Sequence, residues 1–365
     1  MHNNFLYQIA LTLIPQIGCV QARILLEHLP PEEIFKAKAS TLEKIDGLGE
    51  VRVKQIKAFN QFEIAEKELA FIEKYKIQPL FISDEAYPKR LLNCYDAPVM
   101  LYYRGNAVLN QSKIIAIVGS RLHTDYGKNI TDDLIKGLAE QNILVVSGLA
   151  YGIDCLAHKA ALKHKLQTVG VLAHGLDKIY PPGHTDMAKE MITHGGLLTE
   201  FISKTKPERH NFPSRNRIVA GMCDATIVVE TDIKGGSMIT AELANGYNKD
   251  VFAFPGRTTD KKSNGCNYLI KNNKAILLTD STQLLDIMGW SETKKPAKKK
   301  ARELFINFSE DEKLIVDLLS VKEQMSIDEI NFQSGLSSSA VAVAILNLEM
   351  QSIVQTLPGK VYRLF

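Results

Sequence analysis

The sequence lacks the features that mark secreted, membrane-bound and metal-binding chains. Its five cysteines are scattered and include no Cys-x-x-Cys pair, which argues against a disulfide framework or a zinc site. No apolar run approaches the length of a membrane span, and the N-terminus has no basic segment followed by an apolar one. We therefore expect a cytoplasmic protein that does not bind membranes.

The usual signatures of nucleotide-dependent and hydrolytic enzymes are also missing. There is no Walker sequence, no Gly-x-Ser-x-Gly elbow and no Gly-x-Gly-x-x-Gly after a first strand. The histidines lack metal-ligand spacing, and Asp154 and Asp177 are interpreted as groups that cap or orient the backbone. Glu242 could act as an acid or base, but the helix dipole better explains a carboxylate near a helix start. We predict no catalytic residue, no metal and no cofactor.

The length and the composition of the sequence predict an ordinary globular protein. The 365 residues, of which 45% are hydrophobic and 23% charged, suggest two or three domains. The formal net charge is only +3, so a surface that binds a polyanion must come from local clustering of cations.

The rest of the chain is organised around the segment Ile114–Arg121. It begins with five apolar residues, four of them β-branched, which is typical of a strand buried on both faces of a parallel sheet. Strand and helix patterns then alternate as far as residue 278, which predicts a mostly parallel sheet with helices on both faces. Almost every strand ends in Gly, Ser or a charged residue, and open α/β sheets bind ligands at that edge.

Smaller modules are predicted on both sides of this central domain, which spans 66–290. Residues 1–65 read as a helical domain of the helix-hairpin-helix or SAM-like kind, in which Gly47-Leu-Gly49 opens a helix that would contact DNA or protein. A basic linker follows at 291–303. Residues 304–365 carry three helices and a hairpin, a winged-helix pattern. Its presumed recognition helix, Ser338–Met350, has no Arg or Lys, which favours a protein contact over DNA reading.

Three small-residue turns at strand and helix ends could bind phosphates through backbone amides. The turns are Gly119-Ser120, Ser147-Gly148 and Gly236-Ser237.

The segment from His210 to Gly221 adds the strongest concentration of donors. Arg215 and Arg217 flank Asn216, and with Arg121 they would form an electropositive pocket for phosphates. Phe212 could supply a stacking face for a base. The alternative is that Arg215 and Arg217 form ion pairs with carboxylates inside the domain.

In order and spacing, several segments resemble the motif series of the bacterial DNA-processing protein A family, also called DprA or Smf. The resemblance extends over roughly residues 80–290. The segments that carry it are Gly119–Arg121, Ser147–Asp154, Gly175–Pro181, Phe212–Gly221, Gly236–Thr240 and Pro255-Gly256.

The resemblance implies an extended Rossmann-like domain that binds single-stranded DNA without a cofactor or catalysis. It also implies a homodimer, and delivery of the RecA recombinase onto strands taken up in natural transformation, with both surfaces near 265–290. Some family members carry a basic residue where this chain has Pro182, so a neighbouring cation such as Lys178 would have to compensate. The residues predicted to bind DNA are Gly119, Ser120, Arg121, Ser147, Gly148, Lys178, Phe212, Arg215, Asn216, Arg217, Gly236 and Ser237.

The sequence leaves a second class of function open. Rossmann-like phosphoribohydrolases of the lysine-decarboxylase-like group also carry a Gly-Gly turn followed by a Glu seven residues on, as Gly235 and Glu242 stand here. Those enzymes are single compact domains without flanking modules or a Lys-rich linker. A purely structural adaptor would leave the arginines unexplained.

Overall fold

The computed structural model describes residues 2–291, 308–322, 324–351, 353–357 and 360–364. It divides into two units, residues 1–291 and 292–365. Among the helices of the described ranges, none combines the length and the apolar character that crossing a bilayer requires.

The first unit opens with helices that bury their apolar faces against one another and against the first strands of the sheet. Ile9 and Leu25 from the helices share one core with Met100 and Tyr102, while the domain boundary at residue 65 stays a prediction. The helices are α1 (His2–Leu13), α2 (Cys19–His28), α3 (Pro31–Lys36), α4 (Ala39–Leu42), α5 (Gly49–Ala58) and α6 (Phe62–Tyr75).

A nine-stranded sheet forms the centre of the first unit. Its strands are β1 (Gln78–Phe81), β2 (Met100–Gly105), β3 (Ile114–Val118), β4 (Leu144–Ser147), β5 (Thr168–Val171), β6 (Gly195–Thr199), β7 (Ala225–Val228), β8 (Asp250–Ala253) and β9 (Ile276–Leu277). The order is β1-β2-β6-β5-β4-β3-β7-β8-β9. β2 pairs antiparallel with β1 and β6, and the other neighbours are parallel.

The strand order reverses at β3. The chain runs outward from β3 to β6 and then returns to place β7 on the other side of β3. Such a switch point leaves a crevice outside the carboxyl ends of the two strands, where open α/β sheets bind ligands.

Both faces of β3 are covered, as its unbroken apolar run predicts. Ile114, Ala116 and Val118 belong to the core on one face, and Ile115 and Ile117 belong to the core on the other. The predicted Rossmann-like, mostly parallel sheet is thus confirmed. The covering helices are α7 (Lys89–Leu92), α8 (Asp125–Gly137), α9 (Ile153–Lys163), α10 (Thr185–Thr193), α11 (Asn211–Gly221), α12 (Gly236–Gly246), α13 (Asn264–Lys271) and α14 (Ser281–Ile287).

The second unit is the predicted winged helix. A three-stranded antiparallel sheet in the order β10-β12-β11 accompanies the helices, and Ser326 and Glu329 form a capping box at the start of the second helix of this unit. The linker predicted at 291–303 lies, after Ser291, outside the described residues. The elements are α15 (Glu310–Val321), β10 (Met325–Ser326), α16 (Ile327–Ser334), α17 (Ser338–Met350), β11 (Val354–Leu357) and β12 (Val361–Leu364).

Candidate nucleic-acid interface

A cleft of about 690 Å³ opens at the carboxyl ends of β3, β4 and β7, at the switch point of the sheet. Its walls are the loops that follow these strands and the first turns of α11 and α12. Nine of the predicted residues line it: Gly119, Ser120, Arg121, Gly148, Phe212, Arg215, Asn216, Gly236 and Ser237.

The turn that carries Arg121 is held on two sides by backbone contacts. The Ser120 amide donates to the Glu230 carbonyl at 2.7 Å, and the Ser120 carbonyl accepts from the Ile153 amide at 3.1 Å. Gly152 packs against the same turn with φ +81°, and a Cβ there would stand 2.1 Å from the Ser120 carbonyl oxygen. The position of Arg121 is therefore fixed by the start of α9 and by the loop after β7.

Replacing Gly152 with alanine should lower the free energy of unfolding by about 1–3 kcal/mol, because alanine disfavours this φ and its methyl group clashes with backbone. Chemical denaturation would measure the change. Gly183→Ala is the matched control, since a Cβ at Gly183 meets nothing within 4 Å. Equal stability of the two variants would show that the turn does not depend on this close approach.

Arg121 stands at the mouth of the cleft beside an aromatic pair. Its guanidinium carbon is 5.5 Å from the centroid of the Phe212 ring, and that ring is 6.3 Å from the ring of Tyr180. Among the described side chains, no carboxylate forms an ion pair with Arg121. The geometry offers an unpaired cation next to two rings, which suits a phosphate and an adjoining base.

Arg215 forms part of the floor. Its side chain is 5% exposed, its Nη1 donates to the Val171 carbonyl, and its Nε donates to Asn216 Oδ1 at 3.1 Å. A Cβ on Gly148 would stand 2.3 Å from Nη1, so the glycine makes room for the guanidinium.

A buried carboxylate balances part of this charge. Burial raises the pKa of Asp154, and the positive charge of the Arg215 guanidinium is the largest effect that opposes this rise. Burial likewise lowers the pKa of Arg215, which Asp154 opposes. Each of these two opposite charges stabilises the other, which keeps the Arg215 guanidinium charged beneath the cleft.

Two predicted residues lie near the cleft but do not line it. Ser147 is fully buried and donates its hydroxyl to the Ile117 carbonyl at 2.6 Å. Its hydroxyl therefore points into the sheet, and a role for Ser147 in binding stays a prediction. Lys178 is half-buried and lies outside the cleft. Burial lowers the pKa of His174, and the positive charge of Lys178 lowers it further. Compensation by Lys178 for the cation missing at Pro182 stays a prediction.

The prediction that Arg217 joins the other arginines is wrong. Residues two apart on a helix point about 200° apart, so on α11 Arg217 faces away from the side that Arg215 presents to the cleft. Its guanidinium donates to the Glu200 carboxylate and the Asp96 carbonyl, and the side chain is 13% exposed. The internal ion pair considered as an alternative is the arrangement found for Arg217.

The cleft also contains residues that the sequence did not single out. Arg209 adds an exposed guanidinium, and Asp232 contributes a carboxylate from the loop after β7. Only the position of Arg209 immediately before the His210 segment could have indicated it. Within the described ranges, no group of three or more His, Cys, Asp or Glu side chains is arranged to hold a metal ion.

Comparison with known proteins places the chain in a family. Residues 78–289 match the model of DNA recombination-mediator protein A, and residues 295–360 match that of the DprA winged helix domain. The chain is 34% identical to Protein Smf of Synechocystis sp. over 294 residues, 78% of this chain and 72% of the relative. It is 39% identical to DNA processing protein DprA of Streptococcus pneumoniae over 213 residues, 58% of this chain and 75% of the relative.

Solved structures agree with this placement. The X-ray structure of DprA from Streptococcus pneumoniae superposes with a TM-score of 0.66 and 32% identity, covering 77% of this chain and 97% of that one. DNA processing protein A from Helicobacter pylori, whose structure gives insight into its single-stranded DNA binding mode, superposes with a TM-score of 0.54 and 31% identity, covering 59% and 96%. The chain therefore belongs to the DNA recombination-mediator protein A family, the DprA or Smf proteins.

Proposed function

We propose that the protein binds single-stranded DNA in the cleft and serves DNA processing and recombination in that way. The observation that carries the proposal is the unpaired Arg121 guanidinium, held 5.5 Å from the Phe212 ring at the cleft mouth. The solved structure of the Helicobacter pylori relative, which concerns its single-stranded DNA binding mode, supports the same reading.

The chemistry of the cleft favours a single strand over a duplex. Phe212 and Tyr180 offer rings on which unpaired bases can stack, and such stacking tolerates any sequence. Arg121 and Arg209 offer donors to phosphates, which fix a strand without reading its bases. We therefore expect binding with little sequence preference.

We propose binding without catalysis. Glu242, the candidate acid or base of the phosphoribohydrolase alternative, lies outside the residues that line the cleft. It is exposed, with a carboxylate oxygen 3.9 Å from the Lys274 Nζ. The position of Glu242 supports binding without catalysis over the phosphoribohydrolase alternative.

We further propose that the protein forms a cytoplasmic homodimer and loads RecA onto DNA taken up in natural transformation, as the resemblance implies. Two surfaces support protein contacts. β9 is an edge strand of the described sheet, and its residues Ile276 and Leu277 are 41% and 40% exposed. An exposed apolar edge strand can pair with a strand of a second chain. α17 exposes Val343 and Leu346 and carries no Arg or Lys.

Titration with oligonucleotides over a range of salt concentrations tests the proposed function. The salt slope is the change in the logarithm of the binding constant per tenfold change in salt concentration, and each phosphate that the protein neutralises should contribute about −0.7 to it. Two or more phosphate contacts should therefore give a salt slope of about −1.4 or steeper. Incubation with nucleoside monophosphates should release no base. Salt-independent affinity together with a released base would establish the enzyme instead.

A further inference from the structure

A basic loop lies directly beside the cleft, on its β7 side. Residues 255–263, called the β8 loop below, form most of the connection between β8 and α13. Lys262 Nζ donates to the carbonyl of Leu122, so the loop contacts the turn that follows Arg121. Two residues after the end of the β8 loop, the Gly265 amide donates to the Thr231 carbonyl, which belongs to the loop after β7, at 2.9 Å. The loops after β3, β7 and β8 therefore form one continuous rim.

The β8 loop is anchored at its start and turned tightly at its end. Asn267 exchanges two hydrogen bonds with the backbone of Gly256, at 3.2 Å and 3.0 Å, and the Tyr126 hydroxyl donates to the Pro255 carbonyl. The Ser263 amide donates to the Asp260 carbonyl at 2.9 Å. Its side chains consequently project from a backbone with a defined path.

Those side chains carry a local excess of positive charge. Arg257 and Lys261 are exposed and Lys262 is half-buried, against the single carboxylate of Asp260. In the part of the chain that the structure describes, no carboxylate forms an ion pair with Arg257 or Lys261. Solvation could account for two lone surface cations, but these two stand on a fixed loop that contacts the wall of an anion-binding cleft.

We propose that the β8 loop is a second phosphate-binding site that continues the cleft. A strand whose phosphates meet Arg121 leaves the cleft over Leu122 and places later phosphates against Arg257 and Lys261. The inference rests on the proposed function and gives the strand a direction, from the cleft toward the carboxyl end of β8. Short strands fill the cleft alone, and longer strands reach both sites.

The test compares two oligothymidylates, of about 4 and about 20 nucleotides, on the double variant Arg257→Gln/Lys261→Gln. Affinity for the short strand should not change, which also shows that the variant is folded. For the long strand, loss of two phosphate contacts should make the salt slope less steep by about 1.4 and weaken binding about 25-fold at ~0.1 M salt.

The matched control is Lys74→Gln/Lys136→Gln, which removes two exposed lysines from the last turns of α6 and α8, neither of which lines the cleft. It should bind both strands like the unaltered protein. Unchanged long-strand affinity and slope in the Arg257/Lys261 variant would overturn the inference, and so would an equal loss for both strands. If the unaltered protein binds neither strand, the proposed function itself fails and the inference falls with it.

Discussion

Replacing Arg121 with alanine is expected to weaken binding of single-stranded DNA by about 10- to 100-fold, to the same extent for every sequence. A hydrogen bond to a charged group contributes about 1.5–3 kcal/mol, and no carboxylate of the described residues forms an ion pair with Arg121 that would compete with a phosphate. Because the contact is to phosphate, the salt slope should become less steep by about 0.7. Fluorescence anisotropy with several oligonucleotide sequences measures both effects.

Arg104→Ala is the control for this substitution. Arg104 lies on β2 opposite Leu197, the middle residue of β6, and is not among the residues that line the cleft. That variant should bind DNA normally. If Arg121→Ala also binds normally, the Gly119–Arg121 turn is a structural turn only and the cleft loses its main cation.

Replacing Arg217 with alanine is expected to act on stability instead of binding. The Arg217 and Glu200 side chains are 13% and 16% exposed, and removing one partner leaves the other charge buried and unpaired, at a cost of about 3 kcal/mol or more. Thermal and chemical denaturation should show this loss, while the folded protein binds single-stranded DNA with unchanged affinity.

A second variant separates the ion pair from mere packing. Glu200→Leu/Arg217→Leu removes both charges together and should cost much less than Arg217→Ala, since an apolar pair replaces a buried salt bridge with little penalty. If Arg217→Ala were fully stable but bound DNA as poorly as Arg121→Ala, the guanidinium would have to face the strand and the observed pairing would be irrelevant in solution.

The fold was largely predictable because its signals are local. The apolar run Ile114–Val118 is stable only as a strand whose two faces are both covered. In the structure it is β3, the strand at the switch point, with a core on each face. Glycine and serine at the strand ends located the edge of the sheet at which the cleft opens.

The membership of individual side chains in the cleft was harder to predict. Arg215 and Arg217 look equivalent in the sequence, and only the helical register of α11 sends one to the floor and the other to Glu200, a partner that the sequence does not mark. Ser147 ends its strand as predicted, yet its hydroxyl turns into the sheet. Such outcomes depend on side-chain direction and on partners from distant segments, which residue type alone does not specify.

The most direct test of the cleft as the DNA site is amide hydrogen exchange with and without a saturating oligothymidylate. If the strand binds in the cleft, exchange should become slower in the loops after β3 and β7, at residues 119–122 and 232–236, with no change in α17. Unchanged exchange in both loops, with protection confined to the winged helix, would contradict binding in the cleft.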